Sequence, residues 1–422
     1  MTTAALAPRP LAARRLLHGL LLGSAAVLLL ALVEQVTATP QLTSPGTFGA
    51  ALRLTIPIML AGVGAVYSER AGVVNIGLEG MMIMGTWFGA WGAWQFGPWE
   101  GVLIGVLGGA LGGLIHALAT VTFAVDHIVS GVAINILALG GMRFASALAY
   151  RPETGGGVTQ SPRVGGVGDF NVPFLAGGQV LGWKTPDLLG WLERQHWLFV
   201  SDLAGLLRGL TGSLSWLALI AVALVPLTWW LLWRTPWGLR LRSCGENPYA
   251  AESLGVGVYR MKYYGVVISG ALAGLGGVFL VLEQAGIYRE GQTAGRGFIG
   301  LAALIFGNWR PTGVLGGAAL FGFADALRLR QETAVHALLL FIAVGLALLA
   351  AWSLSRRRPN TAFLQALFAL GFLAWFVTTR TVPSEFVFMT PYLVTLLVLS
   401  LASQRLRMPA ADGLQYRRGE AG

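Results

Sequence analysis

The sequence predicts an all-α membrane protein, built as a polytopic bundle of transmembrane helices. Of its 422 residues 55% are hydrophobic and only 11% are charged, whereas soluble domains carry about 25% charged residues. The apolar residues also recur in runs of roughly 20, the length that crosses a bilayer as a helix. We therefore predict about 10 to 11 spans and one broken helical hairpin.

Ten apolar spans and one interrupted stretch follow each other along the chain. The spans are predicted near residues 16–33, 48–67, 73–95, 100–123, 127–149, 214–233, 262–283, 333–352, 361–379 and 386–403. The apolar stretch 296–330 is broken by polar and turn-forming residues at 308–313. The first span follows Arg14 and Arg15 like the core of a signal peptide, but its length favours a retained anchor.

Arginine and lysine positions orient these spans. With the N-terminus in the cytoplasm, the loop 234–262 lies inside and the segment 150–213 lies outside. If residues 296–330 enter the membrane and return as two short helices, the basic residues of 356–358 and of the C-terminal tail also lie inside. The positive-inside rule favours this arrangement. We predict that both termini are cytoplasmic.

The same pattern divides the chain into three parts. Residues 1–47 hold a basic tail, the first span and an outer loop, residues 48–403 the transmembrane domain, and residues 404–422 a basic cytoplasmic tail. Within the transmembrane domain, the Gly- and Pro-rich segment 150–213 predicts an extracytoplasmic cap or an amphipathic helix, such as 187–210. The segment 234–261 is too patterned for a simple linker.

Several function classes are excluded by composition and motifs. The net charge of +10 comes from short loops without a basic, aromatic-interleaved stripe, so nucleic-acid binding is not expected. A single cysteine, Cys244, allows no internal disulfide and no multi-cysteine metal site. Neither Lys184 nor Lys262 stands in a G-x-x-x-x-G-K-S/T loop, and no H-E-x-x-H or G-x-S-x-G motif occurs. We predict no catalytic and no metal site on this chain.

Polar groups inside the predicted spans are the candidates for a transport path. Asn75, Glu79 and Met82 are spaced i, i+4 and i+7, so a continuous helix would place them on one face. Ionisable groups in spans usually face the bundle interior or a water-filled path. Position alone leaves two other roles open for Glu79, solvation near the cytoplasmic end or a structural pair. Asn308 is a similar polar interruption in the broken stretch.

Small residues predict where the helices pack. Glycines recur every fourth position on the span 100–123 and again on the span 262–283, which strips one helix face of side chains and allows backbones to approach closely. The predicted packing positions are Gly101, Gly105, Gly109, Gly113, Gly270 and Gly274.

The cytoplasmic segment 234–261 contains a predicted short helix. Asn247 and Pro248 form a typical helix start, and Gly255 supplies a stop. Basic residues flank this helix. Two interpretations are open, a helix lying on anionic lipid and a docking element for a soluble partner.

An ordered set of motifs resembles the permease subunits of ABC transporters, in the family that takes up branched-chain amino acids, simple sugars and nucleosides. The motifs are SERAGVVNIGLEGMM at 68–82, GLRLRSCGENPYAAESLG at 238–255, SGALAGLGG at 269–277, GRGFIGLAA at 295–303, GNWRPTG at 307–313 and PYLVTL at 391–396, with the tail to 419. The amino-acid sequences of these motifs are most similar to those of the nucleoside (guanosine/purine-type) branch.

The resemblance implies a membrane subunit of an ATP-driven importer in the bacterial inner membrane. Such a subunit has no ATPase site and no cofactor of its own; ATP and Mg would be bound by a nucleotide-binding partner. A second, different permease and a substrate-binding lipoprotein are the other implied partners. The translocation path would include Asn75, Glu79, Met82 and Asn308, with Asn75 the better substrate candidate. Glu69 and Arg70 would anchor the cytoplasmic turn.

The resemblance also implies that residues 238–255 are the coupling loop that follows the ATPase. The residues carried over to that role are Gly245, Glu246, Asn247, Pro248, Ala250, Ala251, Leu254 and Gly255. Simple sugars or branched-chain amino acids are the alternative substrates. An ion-coupled secondary transporter would have interrupted helices in both halves, and we find one clear interruption. A membrane-embedded enzyme would need a catalytic constellation, which the motif search does not reveal.

Overall fold

The computed structural model describes residues 10–39, 42–180, 182–328, 332–383, 386 and 406–419. Over these ranges the chain is helical, with two very small antiparallel strand pairs. The helices are α1 (Pro10–Thr37), α2 (Pro45–Arg70), α3 (Leu78–Gln95), α4 (Pro98–Ala117), α5 (His127–Ala149), α6 (Leu188–Glu193), α7 (Val200–Thr211), α8 (Trp216–Arg234), α9 (Pro236–Glu246), α10 (Pro248–Ser253), α11 (Val258–Phe279), α12 (Arg296–Phe306), α13 (Pro311–Arg328), α14 (Glu332–Ser355) and α15 (Pro359–Thr378).

Two π-helical turns and four short strands complete the described elements. Leu118–Thr122 continues α4 and Leu280–Ala285 continues α11. Strand β1 (Asp169–Phe170) pairs with β4 (Leu214–Ser215), and β2 (Gln179–Val180) pairs with β3 (Trp183–Lys184).

Seven helices in the described part of the chain are long and apolar enough to cross a membrane. They are Pro45–Arg70, Pro98–Thr122, His127–Ala149, Trp216–Arg234, Val258–Ala285, Val335–Ser355 and Pro359–Thr378. The prediction of an all-α polytopic bundle is therefore confirmed. The predicted last span, 386–403, lies outside the described residues apart from residue 386.

The chain forms two compact units, each made of separate stretches. The first unit takes its described residues from 1–50, 171–212 and 326–390. In it, α14 and α15 form a helical hairpin, in which the Ser353 hydroxyl donates to Gln365 (2.8 Å). The predicted amphipathic segment 187–210 forms two helices, α6 and α7, of which α7 ends one residue beyond it. Arg208 joins them by donating to Asp187 and Glu193, at 2.8 Å each.

The second unit comprises the described residues of 51–170, 213–325 and 391–422. At its centre, α3, α4 and α11 pack through glycines. A Cβ added to Gly109 would lie 2.5 Å from the Gly274 Cα, and one added to Gly270 would lie 2.8 Å from the Gly113 nitrogen. At Gly101 the nearest atom to an added Cβ would be the Ala93 Cβ, at 2.6 Å. The helix backbones are therefore in direct contact at this glycine interface, as the recurrence of glycine at every fourth residue predicts.

The interrupted stretch is a hairpin of two helices, as predicted. Residues 307–310 form its turn, and α13 begins at Pro311, a residue suited to the first helical position. The two helices then run back along each other, because a Cβ on Gly317 would lie 3.2 Å from the Ala303 Cα and the rings of Phe306 and Phe321 stack at 5.5 Å. The break thus lies slightly earlier than residues 308–313.

Candidate functional site

The segment 73–77 between α2 and α3 is not helical, which corrects one prediction. Gly72, with φ of +81°, ends the turn that follows α2, and α3 starts only at Leu78. Asn75 therefore precedes α3 and does not share a helix face with Glu79 and Met82. The predicted shared face requires a continuous helix from Asn75 to Met82, but the glycines at 72 and 77 belong to a turn that breaks the helix.

Asn75 is completely buried beside α11. Its side-chain amide donates to the Ser269 hydroxyl at 2.9 Å and faces the Met81 sulfur at 3.4 Å. No donor in the described part of the chain reaches its Oδ1 atom. A buried carbonyl oxygen without a partner is energetically unfavourable, by about 1–3 kcal/mol. This oxygen therefore has an unused acceptor position.

Side chains from α4 and α5 hold the 73–77 segment in place. The ring of His116 bridges the Ser130 hydroxyl (2.8 Å) and the Val74 carbonyl (3.0 Å). Asn135 accepts from the Gly80 N–H at 2.7 Å and donates to the Ile76 carbonyl at 3.1 Å. These contacts satisfy a non-helical backbone within the bundle. The sequence patterns did not predict this role of His116. The feature that could have indicated it is a polar residue in an apolar span.

Glu79 lies in the first turn of α3 and caps another helix. Its Oε1 accepts from the Gly295 N–H at 2.9 Å and its Oε2 from the Gly297 N–H at 2.7 Å. Both donors belong to the start of α12, where unpaired N–H groups and the helix dipole favour a carboxylate. The side chain is buried, so the solvated alternative does not apply. The geometry is that of a structural pair.

The other two predicted path residues lie apart from Asn75. Met82 is fully buried and packs with Ala61 of α2 and Leu280 of the π-helical turn. Asn308 lies in the hairpin turn, with φ of +52°, and its Oδ1 accepts from the Arg407 N–H at 2.8 Å. The four predicted residues are therefore not brought together in one place.

The predicted short helix exists as α10. The Asn247 side chain accepts from the Ala250 N–H at 3.0 Å and so caps the helix, and Pro248 takes its first position. Gly255, with φ of +80°, follows its end. Pro248 and Ala251 are buried, whereas the Leu254 side chain is 84% exposed. A capped helix thus presents an apolar side chain at its end.

The backbone next to α10 fits closely against the end of α2. A Cβ on Gly245 would lie 2.9 Å from the carbonyl carbon of Arg70, so only glycine fits there. Glu246 is exposed, and one of its carboxylate oxygens lies 3.5 Å from the Arg70 guanidinium. The end of α2 thus lies beside α9, α10 and the hairpin turn. We call the region formed by residues 69–70, 245–255 and 307–310 the α10 end.

Glu69 and Arg70 both hold the hairpin turn. The indole N–H of Trp309 donates to Glu69, and the Arg70 guanidinium donates to the Trp309 carbonyl at 3.1 and 3.2 Å. Trp309 thereby joins the end of α2 to the turn between α12 and α13. Nearby, burial raises the pKa of the Cys244 thiol to about 11, so this cysteine stays protonated and unreactive at neutral pH.

The described residues contain no group of three or more His, Cys, Asp or Glu side chains that could hold a metal ion. They form one buried polar region around residues 73–77 and one at the α10 end. The first can accept or donate hydrogen bonds inside an apolar bundle. The second links a surface helix to helices of the bundle.

Comparison with known proteins decides the family. The family described as "Branched-chain amino acid transport system / permease component" matches residues 47–351. The chain belongs to this permease family. It is a multi-pass membrane permease subunit and a transport component.

Named relatives match the permease over most of its length. The guanosine ABC transporter permease protein NupQ of Bacillus subtilis is 34% identical over 88% of this chain and 96% of its own length. The nucleoside ABC transporter permease protein NupC of Lactococcus lactis is 32% identical, with 85% and 93% covered. The putative glucose ABC transporter permease protein TsgC13 of Haloferax volcanii is 30% identical, with 88% and 98% covered. No solved structure matches the chain.

A second guanosine permease protein of Bacillus subtilis, NupP, is 23% identical over 71% of this chain and 79% of its own length. Bacillus subtilis therefore has two guanosine permease proteins that resemble this chain. Permease subunits of ABC importers function with an ATPase partner and another permease subunit.

Proposed function

We propose that this permease and a second, different permease together form the translocation path of a nucleoside importer in the bacterial inner membrane. ATP and Mg are bound and used by a nucleotide-binding subunit on the cytoplasmic side, and a lipoprotein delivers the nucleoside from outside. Both termini are cytoplasmic. The observation that carries the proposal is the similarity, over nearly the whole chain, to guanosine and nucleoside permeases.

Helix α10 is the proposed docking element for the ATPase. Its side-chain cap, the glycine that follows its end and the exposed Leu254 suit a short, well-defined helix that inserts into a cleft on a soluble partner. The contacts of Gly245 and Glu246 with Arg70 support transmission from α10 to α2. Through Trp309 the same movement would reach the hairpin of α12 and α13. A helix merely resting on lipid would not need these links.

Asn75 is the proposed substrate contact. A nucleoside is neutral, so its recognition needs amides, hydroxyls and apolar surface instead of a fixed counter-charge. The Oδ1 atom of Asn75 has a free acceptor position, Ser269 lies beside it, and Met81 faces the same side chain. Glu79 is less suited to this role because α12 already occupies both carboxylate oxygens. Asn308 is proposed to act at the cytoplasmic exit, next to the hairpin turn.

Sugars are the second candidate substrates, since TsgC13 is named as a putative glucose permease. Uptake of tritiated guanosine into proteoliposomes that contain the complete complex tests the choice. We expect ATP-dependent guanosine uptake that excess unlabelled adenosine inhibits and excess glucose or leucine does not. ATP-dependent uptake of glucose or leucine without guanosine uptake would overturn the nucleoside assignment.

An amide-to-alkyl substitution tests the path. Asn75→Leu removes the free acceptor and the bond to Ser269, and we expect guanosine uptake to fall about tenfold, since a hydrogen bond of about 1.4 kcal/mol corresponds to that factor. The complex should still co-purify. Asn360→Leu, at an exposed amide in the first turn of α15, is the matched control and should leave uptake unchanged. Equal uptake by both variants would remove Asn75 from the path.

A further inference from the structure

Residues 406–419, which we call the tail segment, lie across the α10 end. The Arg407 N–H donates to Asn308 in the hairpin turn at 2.8 Å. The Ala411 N–H donates to the Gly245 carbonyl, also at 2.8 Å. Further along, the Gln415 amide donates to the Ala124 carbonyl at 2.7 Å. One short segment thus contacts three regions that are distant in sequence.

Tyr416 joins α10 to α11. Its side chain is buried, with 6% exposure, and its ring centroid lies 5.3 Å from that of Tyr249 on α10 and 5.5 Å from that of Tyr259 on α11. The ammonium of Lys262 lies 5.9 Å from the centre of the same ring. Tilted aromatic pairs at these distances each contribute about 0.5–1.5 kcal/mol beyond the area that they bury.

Asp412 fixes the middle of the tail segment. It is buried with 7% exposure and lies beside the carboxyl group of Glu69 at the end of α2. The backbone N–H of Gly413 and the carboxyl group of Glu69 are the hydrogen-bonding groups that face its carboxylate. Two adjacent carboxyl groups form a hydrogen bond when they share a proton. Asp412 therefore connects the tail segment to the same glutamate that accepts from Trp309.

Helix α10 needs such contacts to keep its position. It has six residues, and an isolated helix shorter than about 12 residues is marginal in water. A Cβ added at Gly255, just after the helix, would meet no atom within 4 Å, so no neighbouring element in the described part of the chain packs against this side. The tail segment supplies the missing support through Tyr416 and through the pair of Arg418 with Glu252 at 3.0 Å.

We propose that the tail segment is a positioning element for energy coupling. It holds α10 against α2, α11 and the hairpin turn, so that a displacement of α10 moves these helices and is not absorbed by a loose loop. This proposal rests on the proposed function, in which α10 is the docking element for the ATPase. Tyr416 acts through α10 and touches neither nucleotide nor substrate.

Substitutions of Tyr416 test this role in the complete complex. Tyr416→Ser removes the ring, whereas Tyr416→Phe keeps it. In proteoliposomes we expect Tyr416→Ser to reduce the amount of guanosine transported per ATP hydrolysed by about fivefold or more, which is the lower limit of typical coupling factors. The complex should co-purify as the wild type does. Tyr416→Phe should restore the wild-type ratio. Leu414→Ala, at an exposed position of the same segment, is the control.

A spin label on Leu254→Cys gives a readout that does not depend on substrate or ATPase. In the purified permease, we expect the label to become more mobile with Tyr416→Ser and to be unaffected by Tyr416→Phe. Unchanged mobility, or an unchanged ratio of transport to hydrolysis, would overturn the proposal for the tail segment. If the wild-type complex takes up no guanosine, the nucleoside assignment fails, while label mobility still decides whether the tail segment positions α10.

Discussion

Two buried parts of the second unit are held together by different forces. At the glycine interface, α4 and α11 meet through their backbones, with Gly109 against Gly274 and Gly270 against Gly113. At the α10 end, long polar and aromatic side chains, with Trp309 and Arg70 at the centre, add to the single backbone contact of Gly245 with Arg70. The first region gains its stability from dispersion between closely packed atoms, and the second from hydrogen bonds and ring contacts.

This difference separates a fixed part from a part that can move. Backbones in direct contact cannot move closer without clashes, so the glycine interface is suited to hold α3, α4 and α11 in fixed positions. Polar side chains can exchange partners and rotate, and exposed Glu246 already lies at the longest ion-pair distance of this region, 3.5 Å. A transporter that alternates between two openings needs both kinds of region. The α10 end is suited to the moving contacts.

The largest effect is expected where backbone meets backbone. Gly109→Ala places a Cβ 2.5 Å from the Gly274 Cα, and such overpacking should destabilise the permease by about 1–3 kcal/mol. Gly140→Ala on α5 is the control, because a Cβ there meets no atom within 4 Å, and should be neutral or stabilising by up to about 1 kcal/mol. Thermal unfolding of both purified variants is the measurement. Similar unfolding temperatures would show that the interface is not rigid.

A smaller effect is expected at the α10 end, where one hydrogen bond is removed. Trp309→Phe keeps an aromatic ring but removes the indole N–H that donates to the buried carboxylate of Glu69. An unsatisfied buried acceptor lowers the free energy of unfolding by about 1–3 kcal/mol, and partner exchange within this polar region should keep the loss near the lower limit. Trp99→Phe, at a half-exposed position in the first turn of α4, should change nothing. Denaturation of the two variants compares them directly.

The smallest effect is a pH dependence confined to the tail segment. Burial, with Glu69 beside it, raises the pKa of Asp412 above the ordinary value of an aspartate. Lys262 and Arg70 are the cations that face it. Because the docked tail holds this proton more tightly than a free tail does, docking is strongest below the ordinary pKa of an aspartate and weakens as the pH rises above it. Asp412→Asn mimics the protonated form and should abolish this dependence.

A spin label on Met408→Cys, an exposed position of the tail segment, measures this effect. Its mobility should rise between pH 6 and pH 9 with Asp412 present and stay constant with Asp412→Asn. The same rise in both proteins would mean that another group controls docking. The contacts of Gly109 are made by backbone atoms of Gly270 and Gly274, so the loss of stability caused by Gly109→Ala, relative to the wild type, should be the same at both pH values.

Local patterns in the sequence predicted seven of the ten spans as the structure has them, and also the glycine interface, the hairpin and α10. The predicted spans 16–33 and 73–95 are not among the seven helices. Each confirmed prediction depends on residues within one helix or one turn, such as Asn247 and Gly255 around α10. The i, i+4, i+7 spacing from Asn75 failed because periodicity does not indicate where a helix starts, and Gly77 provides no side-chain cap. The roles of Glu79, Trp309 and the tail segment depend on partners that are 216, 240 and 164 residues away. No local pattern encodes such distances.

The bond between Glu79 and α12 has a consequence for biosynthesis. Because 216 residues separate Glu79 from Gly295, a ribosome completes α3 long before the N–H groups of α12 exist. During that interval the carboxylate has no partner at α12, and insertion of α3 is unfavourable at this position. With 11 residues, α12 is about half as long as a membrane-spanning helix. Once α12 has been translated, the N–H groups of its first turn can donate to the Glu79 carboxylate. The carboxylate of Glu79 can therefore reach its partners on α12 only after this part of the C-terminal half of the chain has been translated.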